Sequence, residues 1–210
     1  MSAYLRHTSG GSVLRGNVPR VVAALLLCII ILALASTASN AQPRLWWNWY
    51  FGQNAGITFR NGAPETLDDG LLNTNEGCAT VSDPVTGELL FYTDGVTVWN
   101  RLHEVMPNGT GLFGDYSTSQ SALIVPAPGR PSVYYIFTPA PVTASNPGPR
   151  CLCLYYSIVD MRADAGFGEV VTKNELILND ITEHLTATAD CRGDGYWIVV
   201  RSRSTRHFFS

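Results

Sequence analysis

The chain has 210 residues, with 14 Lys and Arg against 17 Asp and Glu, and its formal net charge is −3. Hydrophobic residues make up 46% of the sequence, which is enough for a substantial core in one domain. Because no basic cluster occurs before the last ten residues, the charge pattern argues against a nucleic-acid partner.

The first 41 residues have the order of a secretory signal peptide. Three arginines precede an uncharged apolar run at 21–35, and Ser39 and Ala41 occupy the small-x-small positions of a cleavage site. The run is shorter than the ~20 residues that span a bilayer. We therefore predict an N-terminal signal helix, cleavage after Ala41, a mature domain at 42–210 and a secreted or cell-surface location. The alternative is an uncleaved 21–35 segment that anchors the chain in the membrane.

Short β-branched and aromatic runs alternate with turn residues along the mature chain, whereas helical periodicity is nowhere sustained over two turns. Asp83-Pro84 with Gly87, and Asp94-Gly95, are predicted hairpin turns. Loops are predicted at 61–75, 103–119 and 139–149, and the last two are candidate binding loops. Strands are predicted at 44–51 (extended by 56–59), 78–82, 89–93, 96–100, 122–125, 133–137, 152–160, 169–178, 186–189, 196–201 and 207–209.

A strand–turn–strand phrase occurs three times, at 77–95, 121–138 and 185–202. Each copy has a small or apolar run, a turn rich in Pro, Gly or Asp, and an aromatic run. A repeat of about 40–50 residues with about four strands is typical of propeller blades. The pattern predicts an all-β fold, a partial β-propeller of about three to four four-stranded antiparallel blades.

Six phrases between Asn48 and Val200 carry a resemblance to a known family: NWYFGQNAGITF, LNTNEGCATVSD, LLFYTDGVTVWN, MPNGTGLFG, QSALIVPAPG and YYIFT. The stretch resembles the N-terminal region of large exported bacterial surface proteins. The resemblance implies a WD40-like β-propeller. In the family the propeller is often followed by PKD-type modules and by a sorting domain of the gliding-motility-associated type. These proteins are thought to be exported by a type nine secretion system. Since none of those modules follows before Ser210, we expect a truncated chain.

The resemblance also implies a function. We expect an exported binding or scaffold module, a fragment of a larger adhesion-type protein, that contacts a surface glycan, peptide or protein and is not an enzyme. The alternatives are a propeller-based glycoside hydrolase or lyase and a non-functional truncated remnant. The ligand and the oligomeric state do not follow from the sequence.

The segment Thr93–Trp99 (TDGVTVW) is similar to the Asp-box of sialidase propellers, but its spacing fails because Asp94 directly precedes Gly95. We therefore predict a hairpin turn there, with Trp99 in packing between blades. Glycoside hydrolysis would need two convergent carboxylates. The candidates are Glu76, Asp83, Glu88 and Asp160. Nothing in the sequence pairs them, and Asp83 and Asp160 are expected to cap turns through side-chain hydrogen bonds.

No catalytic, cofactor-binding or metal-binding residue is predicted, and no cofactor. His103, His184 and His207 lack metal-ligand spacing and are expected on surface loops. Asp68-Asp69-Gly70 could contact calcium but lacks the ligand spacing of an EF-hand loop. Asn108-Gly109-Thr110 is expected to be a loop turn.

Four cysteines remain in the mature chain: Cys78, Cys151, Cys153 and Cys191. An even number in an exported protein permits disulfides, and three pairings exist. A Cys151–Cys153 bridge is disfavoured, because alternate residues of a strand point the same way but lie too far apart. Buried free thiols are the alternative.

Five aromatic residues lie between Trp46 and Phe51. Strand alternation would place Trp47, Trp49 and Phe51 on one face and Trp46 and Tyr50 on the other. The favoured expectation is burial on both faces between neighbouring blades. The alternative is an exposed aromatic platform that binds sugar or peptide.

Overall fold

The computed structural model describes residues 44–140 and 151–210. Within these ranges the protein has fourteen strands, two three-residue 3-10 helices (Arg44–Trp46 and Asp164–Gly166) and no α-helix. The all-β prediction is therefore confirmed. The predicted signal segment and most of the predicted 139–149 loop lie outside the described residues. None of the helices in the described ranges has the length and apolar character that a membrane crossing requires.

The strands form four antiparallel sheets, and each sheet is a meander of strands that are consecutive in the chain. The first sheet contains β1 (Asn48–Phe51), β2 (Ala55–Thr58) and β3 (Glu65–Leu67). The second contains β4 (Ala79–Ser82), β5 (Leu89–Thr93), β6 (Thr97–Asn100) and β7 (Val105–Thr110). The third contains β8 (Leu123–Pro126), β9 (Val133–Ala140), β10 (Cys153–Asp160) and β11 (Glu169–Asn179). The fourth contains β12 (Ile181–Ala189), β13 (Tyr196–Ser202) and β14 (Phe208–Phe209).

Two segments predicted as loops contain strands. β3 lies within 61–75, and β7 lies within 103–119. The expected turn at Asn108-Gly109-Thr110 is wrong, because these residues belong to β7. Asn108 has a φ of 55°, and the pairing of β7 with β6 shifts register between Thr97 and Trp99. An irregular, glycine-containing strand of this kind has the composition of a loop.

Strand β5 of the second sheet is buried on both faces. In β5, Phe91 and Tyr92 are adjacent residues that point to opposite sides, and both are fully buried. Phe91 packs toward the third sheet, where its ring lies 5.6 Å from that of Tyr134. Tyr92 packs toward the first sheet, with its ring stacked 4.7 Å from that of Tyr50. Burial on both faces explains why β5 reads as a continuous apolar run rather than an alternating one.

The predicted hairpin at Asp94-Gly95 is confirmed. Asp94 Oδ1 accepts hydrogen bonds from the backbone N–H groups of Val96 and Thr97 at 2.8 and 2.7 Å. Gly95 has a φ of 88°, and a Cβ at this position would collide with the carbonyl oxygen of Ser121. Burial raises the pKa of Asp94, although the two N–H groups act in the opposite direction. The turn therefore requires glycine for both conformation and space.

The first strands of successive sheets lie next to one another. β1 contacts β4, β4 contacts β8, and β8 contacts β12. Side chains join the first of these pairs, since the N–H of Tyr50 donates to Thr80 Oγ1 at 3.0 Å and Asn48 Nδ2 donates to Ser82 Oγ at 2.9 Å. The four sheets are thus arranged around their first strands.

Cys151 and Cys153 form a disulfide, with Cα atoms 5.2 Å apart. The expectation that this bridge is disfavoured is wrong. It assumed a regular strand from residue 152, but β10 begins at Cys153 and Cys151 lies in a bend before it. The bend brings the two Cα atoms within bridging distance. Cys78 and Cys191 are free, and Cys191 is exposed.

Candidate functional site

A groove of about 620 Å³ lies along the first strands of the first three sheets. The residues that line it come from the 3-10 helix and strands β1, β2, β4 and β8 with their flanking segments. We call it the aromatic groove. Its lining residues are Trp46, Trp49, Tyr50, Phe51, Ile57, Cys78, Ala79, Thr80, Gln120, Ala122, Leu123 and Ile124.

Three rings of this groove are open to solvent. Trp46, Trp49 and Phe51 are 63%, 49% and 37% exposed, whereas Asn48 and Tyr50, which alternate with them in β1, are buried. The expectation that both faces of this segment are buried is therefore wrong. Within the described residues, only one face of β1 is covered by a neighbouring sheet. The exposed aromatic platform, the less favoured alternative, is the arrangement found.

Trp46 and Trp47 do not occupy the faces that strand alternation predicts, because residues 44–46 form a 3-10 helix. Trp47 lies away from the groove, with the Arg44 guanidinium 4.4 Å from its ring centroid. Its ring also packs on Gly87, where a Cβ would collide with it. The helix instead brings Trp46 beside Trp49 in the groove.

The ring of Trp49 is held in place by specific contacts. Trp49 Nε1 donates a hydrogen bond to the carbonyl oxygen of Trp46 at 2.8 Å. The ring of Trp49 meets that of Phe59 edge to face, with centroids 5.4 Å apart. The Trp49 ring is therefore preorganised, which lowers the entropic cost of binding a ligand to it.

The lining carries no charged side chain among the described residues. Its polar groups are largely engaged: Gln120 Oε1 accepts a hydrogen bond from the N–H of Leu185 at 2.8 Å, and Thr80 Oγ1 accepts from Tyr50. Burial, and then the charge of Asp94, raise the pKa of the Cys78 thiol, which favours its neutral form. The groove is suited to a neutral ligand with apolar faces.

A buried network supports β1 from the opposite face. Tyr50 Oη donates to Asp69 Oδ1 at 2.8 Å, and the Tyr92 ring stacks between those of Tyr50 and Trp99. Burial, and then Asp69, raise the pKa of Tyr50 well above its ordinary value. Trp99 thus packs between the first two sheets, as predicted.

His103 lies in the loop between β6 and β7, as expected, but it is partly buried because it joins this network. Its side chain is 19% exposed. Nε2 lies 3.3 Å from Asp69 Oδ2, and Nδ1 lies 3.1 Å from Tyr92 Oη. The N–H of Leu71 also donates to Tyr92 Oη, at 3.0 Å. His103, Asp69 and Tyr92 support β1 from the side opposite the exposed rings, and they do not line the groove. His184 and His207 are exposed, as expected, but His184 lies in strand β12 and not in a loop.

None of the four candidate carboxylates lines the groove. Asp83 Oδ1 accepts from the N–H groups of Val85 and Thr86, which confirms the predicted turn cap. Partial burial acts to raise its pKa, but these hydrogen bonds hold it below the ordinary value.

Asp160 is also engaged in a local contact, in agreement with the predicted cap. Arg162 Nη2 donates to Asp160 Oδ2 at 2.7 Å, and the hydrogen bonds from this side chain lower the Asp160 pKa to about 2. Glu88 lies 3.6 Å from Arg60, and Glu76 is exposed. The described residues contain no group of three or more His, Cys, Asp or Glu that could hold a metal ion.

Comparison with protein-family models, curated proteins and solved structures finds no match. The resemblance to exported surface proteins therefore stays a prediction from the sequence phrases. Interpretation of the groove rests on its own geometry and chemistry. Sequence reasoning found its aromatic strand but missed its β8 wall, because residues 120–124 reach the groove, next to β4, only in the folded chain.

Proposed function

We propose that this protein is an exported cell-surface binding module, built as part of a β-propeller, whose aromatic groove binds a neutral glycan without hydrolysing it. The exposed, charge-free platform of Trp46, Trp49 and Phe51 is the observation that carries this proposal. Flat aromatic faces suit the C–H faces of sugar rings, since both surfaces are apolar and extended. The signal-like N-terminal segment and the resemblance to surface proteins support export.

The sheet arrangement supports the propeller. Four antiparallel meanders follow one another along the chain, and their first strands are neighbours. Blades that radiate from an axis have this order. In such folds, ligands often bind near the axis, where loops and first strands of several blades meet.

A glycan fits the groove better than an extended peptide does. Peptides commonly bind by adding a strand to a free sheet edge. The edge of β1 that faces β4 is already used, because the N–H of Asn48 donates to Ser82 Oγ and that of Tyr50 donates to Thr80 Oγ1. The groove therefore offers side-chain faces rather than backbone hydrogen bonds.

The chemistry of the lining argues against hydrolysis in this groove. A glycosidase needs a pair of carboxylates about 5–10 Å apart. The groove has no carboxylate among its described lining residues. Binding without turnover is the activity that this lining supports.

The proposal is tested by calorimetry with a panel of soluble neutral polysaccharides. Trp49→Ala is expected to weaken binding about tenfold or more, as for other central aromatic contacts. Trp197→Ala is the matched control, because Trp197 is 54% exposed and lies outside the groove. It should bind as the wild type does.

Three results would overturn the proposal. These are the absence of binding across the panel, equal losses in the Trp49 and Trp197 variants, and release of reducing sugar from a bound polysaccharide. If peptides from a library bind in the same groove, the ligand class is a peptide and not a glycan.

A further inference from the structure

We infer that the Cys151–Cys153 disulfide is an exchange-active site that reacts with external thiols at the Cys151 sulfur. The bridge lies where the chain enters β10, and the proposed glycan groove does not include it. Its co-reactant is a small or protein thiol. The inference is independent of the proposed function.

The bridge is poorly placed to stabilise the fold. It spans a sequence separation of only two, so it removes little conformational entropy from the unfolded chain. Backbone pairing already holds the segment, because Cys153 pairs with Ala140 and Asn179, and the N–H of Ile181 donates to the carbonyl oxygen of Leu152 at 3.0 Å. The cross-link therefore adds little to the stability of the fold.

The two cysteine residues differ in exposure. Cys153 is 1% exposed and packs with Ala140 and Tyr155, whereas Cys151 is only half-buried. An attacking thiolate must approach a sulfur directly, and access decides which one it reaches. Cys151 is therefore the sulfur attacked, and Cys153 is the leaving group.

The polar neighbours of both sulfurs suit the reduced state. Asn179 Oδ1 lies 2.8 Å from Cys153 Sγ. A disulfide sulfur carries no hydrogen, so this oxygen gains a hydrogen bond only when Cys153 becomes a thiol. Tyr155 Oη lies 3.3 Å from Cys151 Sγ. Burial raises the Tyr155 pKa, so its hydroxyl keeps the proton that it can donate to a Cys151 thiolate.

The reaction balances with thiol as the only reductant. The sulfur of an external thiol attacks Cys151 Sγ, and the S–S bond breaks. The proton that the external thiol loses ends on Cys153 Sγ, beside Asn179. The product is a mixed disulfide at Cys151 and a thiol at Cys153. A second thiol attacks the mixed disulfide, which releases the external disulfide and leaves Cys151 reduced.

The test treats the folded full chain with millimolar reduced glutathione, alkylates the remaining thiols, and maps the adducts by peptide mass spectrometry. We expect an alkyl group on Cys153 and, on Cys151, a glutathione adduct at early times that is replaced by an alkyl group once a second glutathione has reacted. Cys191, exposed and free, is the internal reference for alkylation. A bridge that opens only in denaturant, an adduct on Cys153, or free cysteines at both positions in protein from an oxidising compartment would overturn the inference.

Three variants extend the test. With oxidised glutathione, Cys153→Ser should form a mixed disulfide at Cys151, and Cys151→Ser should react about tenfold more slowly at Cys153 because that sulfur is buried. Equal rates would overturn the assignment.

Tyr155→Phe keeps the ring contact with Phe113, whose centroid is 5.1 Å away. It should slow alkylation of reduced Cys151 about fivefold near neutral pH. If the rate of Cys151 alkylation depends on pH in the same way in Tyr155→Phe and in the wild type, Tyr155 has a packing role only.

Discussion

The two faces of β1 use the same residue types for opposite purposes. On one face, Tyr50 is buried against Tyr92 and donates to Asp69. On the other, Trp49 and Phe51 are exposed and line the aromatic groove. An aromatic strand next to a sheet thus becomes core on the covered face and leaves exposed rings on the open one. Stability and recognition can therefore be changed separately by substitutions one residue apart.

The largest effect is expected from Tyr92→Ala on the covered side. This side chain is fully buried between Tyr50 and Trp99, so its removal leaves a cavity and breaks the contact with His103. We expect a loss of about 3–5 kcal/mol in the free energy of unfolding, measured by urea denaturation. A loss below about 1 kcal/mol would mean that this face is not core.

Tyr50→Phe tests the hydrogen bond on the same face without changing the ring. Removal of the hydroxyl leaves Asp69 Oδ1 without this donor, and we expect a loss of about 1 kcal/mol. Tyr116→Phe is the control, since Tyr116 is largely exposed. Equal losses in the two variants would contradict a specific role for the Tyr50 hydroxyl.

Trp49→Ala tests the open face. Because half of this side chain is already in solvent, we expect the free energy of unfolding to change by about 1 kcal/mol or less. The same variant should lose glycan binding. A loss of stability comparable to that of Tyr92→Ala would remove the contrast between the faces.

The smallest effect is expected in how the free energy of unfolding depends on pH in the alkaline range. The Tyr50 pKa is raised in the folded state, so the unfolded chain releases this proton near pH 10 while the folded chain keeps it. The contribution of Tyr50 is thus fully present below about pH 10 and is lost as the pH rises further. Stability curves measured above pH 10 should fall less steeply for Tyr50→Phe than for the wild type. Parallel curves would show that Tyr50 is not shielded by the neighbouring sheet.

Local patterns in the sequence predicted much of the fold. The hairpin at Asp94-Gly95 was predictable because an Asx side chain and a glycine with positive φ act within one turn. The caps at Asp83 and Asp160 were predictable for the same reason. β7 was missed because its Gly and Asn residues suit loops, and only pairing with β6 makes it a strand.

The candidate site was less predictable. The sequence located the aromatic segment, but two arrangements remained open: burial on both faces, or one exposed platform. His103 has no local signal for burial, since its partners Asp69 and Tyr92 come from other parts of the chain. The Cys151–Cys153 bridge was not predicted, because it depends on a bend at Cys151 and cysteine is not a residue typical of turns.

The sequence by itself determined the all-β character, the main hairpins and the alternation of side chains in β1, because these depend on residues close together in the chain. Packing between the sheets determines which face of β1 is covered, which histidine is partly buried and which strands complete the aromatic groove. The physical reason is that burial depends on neighbours brought together by sheet packing, and those neighbours are distant in sequence.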